Sequence, residues 1–230
     1  TDPLDREVAG VIASSLAYGR ASQIVKSARR VLDKMRGSPR GFLLGAGDRA
    51  IGEVCEGFRH RFTDSRDLLD LLLAVRKALK EWGSLEILFA SGIHCSAEKA
   101  LGGLASLSGA LRSSSSGRNN SLLPDLTLGS ACKRYHLFLK WMVRRDSIDP
   151  GGWECIAPAD LMIPLDTHMQ RICSGLGLVS RKNADRQAVI EVTRAFRVIR
   201  PEDPARYDFA LTRFGIRDDL EMKDLLDPLR

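Results

Sequence analysis

The chain has 230 residues, 44% hydrophobic and 28% charged, enough apolar material for one large domain or two small lobes with a real core. No apolar run reaches the length of a membrane span, and the polar opening Thr1-Asp2-Pro3-Leu4-Asp5-Arg6 has no signal-peptide pattern, so neither a membrane protein nor a secreted one is expected. The net charge of +6 favours an anionic partner, and Cys55, Cys95, Cys132, Cys155 and Cys173 form no C-x-x-C pair, which fits a reduced, cytoplasmic protein with no cysteine-built zinc or iron–sulfur site.

In chain order, Asp5 can cap a first helix over Val8, Ile12 and Leu16, with Glu7 in its first turn. A second helix is predicted from Ser22 to Met35, stopped by Gly37-Ser38-Pro39, and a leucine-rich third from Asp64 to Trp82, stopped by Gly83. Ser96 to Leu111 forms a fourth, followed by a polar surface loop from Ser113 to Asn120. The segment from Ser130 to Arg145 is a strongly patterned helix. Asp146 to Pro164 is irregular, with a turn at Asp149-Pro150-Gly151-Gly152. Asp166 caps a helix that runs to about Gly175, and Asn183 to Ile199 and Pro204 to Phe214 are the last two. Strand signals are scarce and no repeat is present, so the predicted class is all-α.

On the helix from Ser130, Lys133, His136, Lys140 and Arg144 share one narrow face at helical spacing. Between Arg112 and Arg145 the basic residues are Arg112, Arg118, Lys133, Arg134, Lys140, Arg144 and Arg145, against Asp125 as the single acid. That bias predicts a surface laid on phosphates, unless the face is an ordinary solvated one. Gly129 and Ser130 open this helix, so its free N–H groups are offered to phosphate as well. Lys133, in the first turn, suits either a Schiff-base nucleophile or a phosphate contact. Asp166 suits either a plain N-cap or a carboxylate that takes a proton or supports a positive sugar. His168 is read as structural.

Pro164-Leu165-Asp166-Thr167-His168-Met169-Gln170-Arg171, followed by Leu176-Gly177-Leu178, resembles the V-D-T-H-V-x-R and R-L-G-L stretches of the helix-hairpin-helix DNA glycosylase superfamily. Leu126-Thr127-Leu128-Gly129-Ser130-Ala131-Cys132-Lys133-Arg134 resembles that superfamily's L-P-G-(V/I)-G-x-K-T-A hairpin, with one glycine in place of two and no P-G. The stretch from Ala13 to Gln23 looks like an early helix and loop pressed into the DNA groove. The stretch from Asp203 to Gly215 looks like the last helix before an iron–sulfur loop, which this sequence lacks. Lys133 and Asp166 are 33 positions apart, a spacing similar to that of the archaeal 8-oxoguanine DNA glycosylase branch, which also carries I-P-x-D. The chain as a whole is similar to an uncharacterised bacterial family of the superfamily with the pattern G-S-x-C-K-R, then W-M-V-R, then I-P-L-D-T-H.

The resemblance implies a two-lobed helix-hairpin-helix glycosylase-like fold. One lobe would span 20–150 with the hairpin at Leu126 to Arg145, and the other 1–19 plus 151–230 with Asp166. It implies a base-excision DNA glycosylase with AP-lyase activity on a damaged base, such as an oxidised purine. Lys133 would be the nucleophile and Asp166 its partner. Gly129, Ser130, Arg134, Lys140, Arg144, Arg20, Gln23 and Arg171 would bind DNA, with Tyr18 as a further candidate for filling the gap left by the base. The expected protein is a nucleoid-associated monomer without metal, cofactor or iron–sulfur cluster. The competing expectations are a non-catalytic DNA-binding module and an RNA-acting protein.

Overall fold

The computed structural model describes residues 2–115, 118–216 and 225. The fold is all-α. Its helices are α1 (Pro3–Ser15), α2 (Ala21–Asp33), α3 (Pro39–Gly45), α4 (Asp48–Cys55), α5 (Ser65–Trp82), α6 (Leu85–Ala90), α7 (Lys99–Ser113), α8 (Lys133–Val143), α9 (Thr167–Gly175), α10 (Arg186–Ile199) and α11 (Asp208–Ile216). Three-residue 3-10 turns lie at Leu126–Leu128 and Pro158–Asp160, and a minimal antiparallel hairpin pairs β1 (Arg59–His60) with β2 (Thr63–Asp64). Ser116 and Gly117 of the predicted polar loop, and most of the chain beyond Ile216, lie outside the described residues. Among the described residues no helix is long and apolar enough to cross a membrane.

Local chemistry explains where the helices start. α1 is capped by Asp2, whose carboxylate accepts the Leu4 N–H at 2.8 Å, with Pro3 inside the first turn. Asp5, the cap predicted from sequence, lies one turn in and accepts from the Ser38 hydroxyl and the Arg40 N–H. It therefore ties α1 to α3. Asp64 and Asp67 form a reciprocal capping box on α5, which stops at Gly83 with φ of 79°. Asp185 caps α10 through the Ala188 N–H at 2.8 Å.

α1 packs against α2, α3, α6 and α8, and α5 against α3, α4, α6 and α7, while α9 packs against α11. A Cβ on Gly10 would stand 2.8 Å from Met142 Cε and 3.3 Å from the Phe138 ring, so a bare α-carbon sets the approach of α1 to α8. One apolar cluster runs from Val8 to Ala205.

The irregular stretch after α8 is tied to the core. The Gly151 N–H donates to the Trp141 carbonyl at 3.0 Å and the Trp153 N–H to that of Met142 at 2.8 Å. The buried Trp153 ring meets Phe89 and Phe138 with centroids 5.4 and 5.2 Å apart. Leu161, Met162, Ile163 and Leu165 are buried in turn, and the Ile163 N–H donates to the Thr193 hydroxyl of α10. By this packed route the chain brings the start of α9 back to the start of α8.

Candidate functional site

The site lies where α8 and α9 begin. Before α8, Asp125 caps the 3-10 turn by accepting from the Thr127 N–H at 2.8 Å and its hydroxyl at 2.6 Å, and Gly129 closes the turn in the left-handed region with φ of 77°. Cys132, the N-cap of α8, is also left-handed with φ of 41°, a conformation that costs a side-chain-bearing residue roughly 1–3 kcal/mol. The Arg186 N–H donates to the Gly129 carbonyl at 2.9 Å, its guanidinium reaches the carbonyls of Leu126 and Thr127, and Ser130 bridges to Asp185. The head of α10 therefore braces the turn that precedes α8. Nothing in the local pattern of Arg186 announces this role, since its partners are main-chain oxygens about sixty residues away. Leu128 stands at the tip, 80% exposed.

The sequence places the start of α8 at Gly129-Ser130; in the structure it starts at Lys133. The first N–H groups of the helix therefore belong to Lys133 and its successors, and Gly129 and Ser130 lie in the turn before it. Lys133 Nζ lies 2.9 Å from Asp166 Oδ2. Oδ1 of the same carboxylate accepts the Met169 N–H at 2.9 Å, capping α9. Asp166 is thus the N-cap of α9 and the ion-pair partner of Lys133 at once, with one oxygen for each. Burial pushes its pKa up, but the Lys133 charge and the hydrogen bonds from Met169 and Lys133 outweigh this and hold it below the usual carboxylate range. The side chains of Lys133 and Asp166 remain 34% and 17% exposed, so a solute can reach both.

The rest of the basic face points inward. Lys140 is 2% exposed, with its Nζ 3.0 Å from Asp208 Oδ2 and 3.6 Å from Asp149 Oδ1. Arg144 is buried and pairs with Asp146, Asp149 and Asp203. His136 is buried, and desolvation takes its pKa down to about 4, so it is neutral near pH 7. Arg134 is half-buried. It donates to the carbonyls of Ser15 and Ser121, and its guanidinium carbon lies 5.3 Å from the centroid of the Tyr18 ring. The expected phosphate contacts at Lys140, Arg144 and Arg134 are thereby corrected: these cations hold the fold together. The reason is that the charge count stops at Arg145 and so misses Asp146 and Asp149 just beyond it, along with Asp203 and Asp208, which arrive from farther down the chain. The same holds for Arg118, paired with Asp67, whereas Arg112 finds Asp125 within its own segment.

Of the remaining expected contacts, Ser130, Arg20, Gln23 and Arg171 are exposed. Arg20 precedes α2 and Gln23 lies in its first turn, while Arg171 lies on α9. Surface hollows on α10, on α2 and beside Arg144 are lined by residues other than Lys133 and Asp166. Among the described residues no group of three or more His, Cys, Asp or Glu side chains is placed to hold a metal ion.

Fold and site together define an all-α protein with a solvent-reachable lysine–carboxylate pair at the junction of two helix N-termini. The chain belongs to the family described as "Protein of unknown function (DUF2400)", whose model matches residues 1–217. No curated protein and no solved structure matches it.

Proposed function

We propose that the protein is a base-excision DNA glycosylase with AP-lyase activity, built on a helix-hairpin-helix glycosylase-like fold and acting on a damaged base such as an oxidised purine. The observation that carries this reading is the 2.9 Å contact between Lys133 Nζ and Asp166 Oδ2 in a place open to solvent, while the neighbouring Lys140–Asp208 pair is sealed. An amine within reach of solvent is one that a substrate can meet, as a nucleophile requires.

The duplex would cross the hairpin at Gly129 and Ser130, with exposed Arg20, Gln23 and Arg171 as further contacts, and the damaged nucleotide would leave the stack to reach the pair. Asp166 takes a proton from Lys133 Nζ, which then attacks C1′ of the sugar. The N–C1′ bond forms as the glycosidic bond breaks, and the base departs with the bonding electrons. Opening of the sugar ring gives the Schiff base, loss of a C2′ proton expels the 3′ phosphate, and hydrolysis releases the lysine. Asp166 passes the proton it took to the departing base and, ionised again, offsets the positive charge of the Schiff base formed from the sugar.

Borohydride trapping on oligonucleotides that each carry one lesion tests this reading. The wild type forms a covalent adduct with at least one of them and Lys133→Gln forms none. If no lesion yields an adduct, the protein is a non-catalytic nucleic-acid-binding module; if Lys133→Gln is trapped as efficiently as the wild type, another amine is the nucleophile and the assignment of Lys133 falls.

A further inference from the structure

The β1–β2 hairpin is small and unusually well anchored. His60 is fully buried. Its Nε2 donates to the Tyr18 carbonyl at 3.0 Å, which leaves Nδ1 to accept from the Ser27 hydroxyl at 2.9 Å. The Tyr18 hydroxyl donates to the His60 carbonyl at 3.0 Å and accepts from the buried Thr63 hydroxyl. The tip is formed by Arg61 and Phe62, with Arg61 held at φ of 53°. The Arg61 side chain lies across Gly19, where a Cβ would stand 2.8 Å from Arg61 Cδ. These contacts fix the hairpin to the loop between α1 and α2.

They hold an aromatic ring in water. Phe62 is 67% exposed, and its ring stacks on Tyr18 with centroids 4.8 Å apart and planes 21° from parallel. Three exposed guanidinium groups belong to the same loops, at Arg20, Arg59 and Arg61, and Arg134 sits over Tyr18 one residue along α8 from Lys133. The nearest acid in sequence, Asp64, is occupied capping α5 through the Arg66 and Asp67 N–H groups. Burying Phe62 would gain apolar contact, yet a strained residue and a buried hydrogen-bond network hold it outward.

We infer that Phe62, backed by Tyr18, is a stacking platform for an unpaired nucleobase, with the flanking phosphates held by Arg20, Arg59 and Arg61. A flat apolar ring backed by a second ring, with cations around it, matches the two needs of an unstacked nucleotide: a π face for the base and positive charge for its backbone. The inference rests on the reading of the protein as one that binds nucleic acid, and it is independent of the chemistry at Lys133.

The test is fluorescence anisotropy with two labelled duplexes of the same sequence, one fully paired and one with a single extrahelical thymidine. The wild type binds the bulged duplex more tightly. Phe62→Ala and Phe62→Leu lose about 5- to 150-fold on the bulged duplex, the range for removal of one stacked base, and nothing on the paired one. Because Phe62 is exposed, both variants fold, and the leucine keeps bulk while removing the π face. Phe62→Trp retains the preference, and its added emission is quenched by the bulged duplex. Equal wild-type binding to both duplexes, no binding to either, or an unchanged Phe62→Leu preference overturns the inference. Borohydride trapping reads out separately: adducts without a bulge preference sink the platform alone, and a bulge preference without adducts sinks the lyase alone.

Discussion

Lys140 Nζ and Asp208 Oδ2 meet at 3.0 Å inside the protein, seven residues along α8 from Lys133 and therefore on nearly the same helical face as the open pair. Burial pushes the Asp208 carboxyl upward against the pull of Lys140, so the two groups depend on each other for charge balance. Removing one partner leaves an uncompensated charge in the core. Lys140→Met should cost roughly 3–5 kcal/mol, and the double variant Lys140→Met/Asp208→Leu should recover much of that loss. Urea midpoints measure both, and a double variant less stable than Lys140→Met would show that the pair is not the dominant interaction of either residue.

Asp166→Asn separates capping from chemistry. Asparagine caps helices about as well as aspartate, so thermal stability should fall by no more than about 1 kcal/mol. Base release should nevertheless stop, because an amide neither takes the Lys133 proton nor carries the charge that supports a sugar cation. Full activity in this variant would reduce Asp166 to a helix cap.

Glu7 gives a pH signature of the fold. Its buried carboxylate accepts the Leu85 N–H at 2.9 Å and the Glu86 N–H at 3.2 Å, yet burial raises its pKa to about 7. Between about pH 4.5 and 7 the folded state therefore holds a proton that the unfolded state has released. The contribution of Glu7 is fully present below the lower value and is lost as pH rises through the upper one, a loss of at most roughly 3 kcal/mol. Glu7→Gln should flatten this part of the stability curve, measured by urea titration at each pH. A variant curve parallel to the wild type would assign the slope to another group.

The redistribution of charge changes what salt should do. Arg20→Ala, at an exposed position, should lower the slope of log affinity against log salt by about one unit for DNA. Arg144→Ala should leave that slope alone and cost about 3–5 kcal/mol of stability, because it removes the nearer of the two cations on the buried Asp149 and leaves Asp203 without its partner. The reverse pattern in filter binding and melting would return Arg144 to the surface.

What could be read in the sequence was whatever is local. The apolar periodicity of α2, α5, α7 and α10 and the cap at Asp166 each lie within a few residues, so their chemistry is visible in a window. The helices α3, α4 and α6, with 7, 8 and 6 residues, are too short for periodicity to show. Lys133 and Asp166 could each be singled out, but their contact depends on the packed route through Trp153 and Ile163. The inward turn of Lys140 and Arg144 was hidden for the converse reason: their partners Asp146, Asp149, Asp203 and Asp208 all lie beyond the end of α8. Phe62 gave no signal, because Phe58 and Phe62 flank the same Arg59-His60-Arg61 stretch and nothing local says that the first ring goes in and the second stays out.

The division of labour at Asp166 has one more consequence. One carboxylate oxygen is committed to the main chain of α9, and the other faces the amine. A proton arriving on the oxygen that faces Lys133 leaves the hydrogen bond at the helix start in place, so the carboxyl group can be protonated and emptied again while α9 stays wound. The pair can cycle without a toll on the scaffold that holds it.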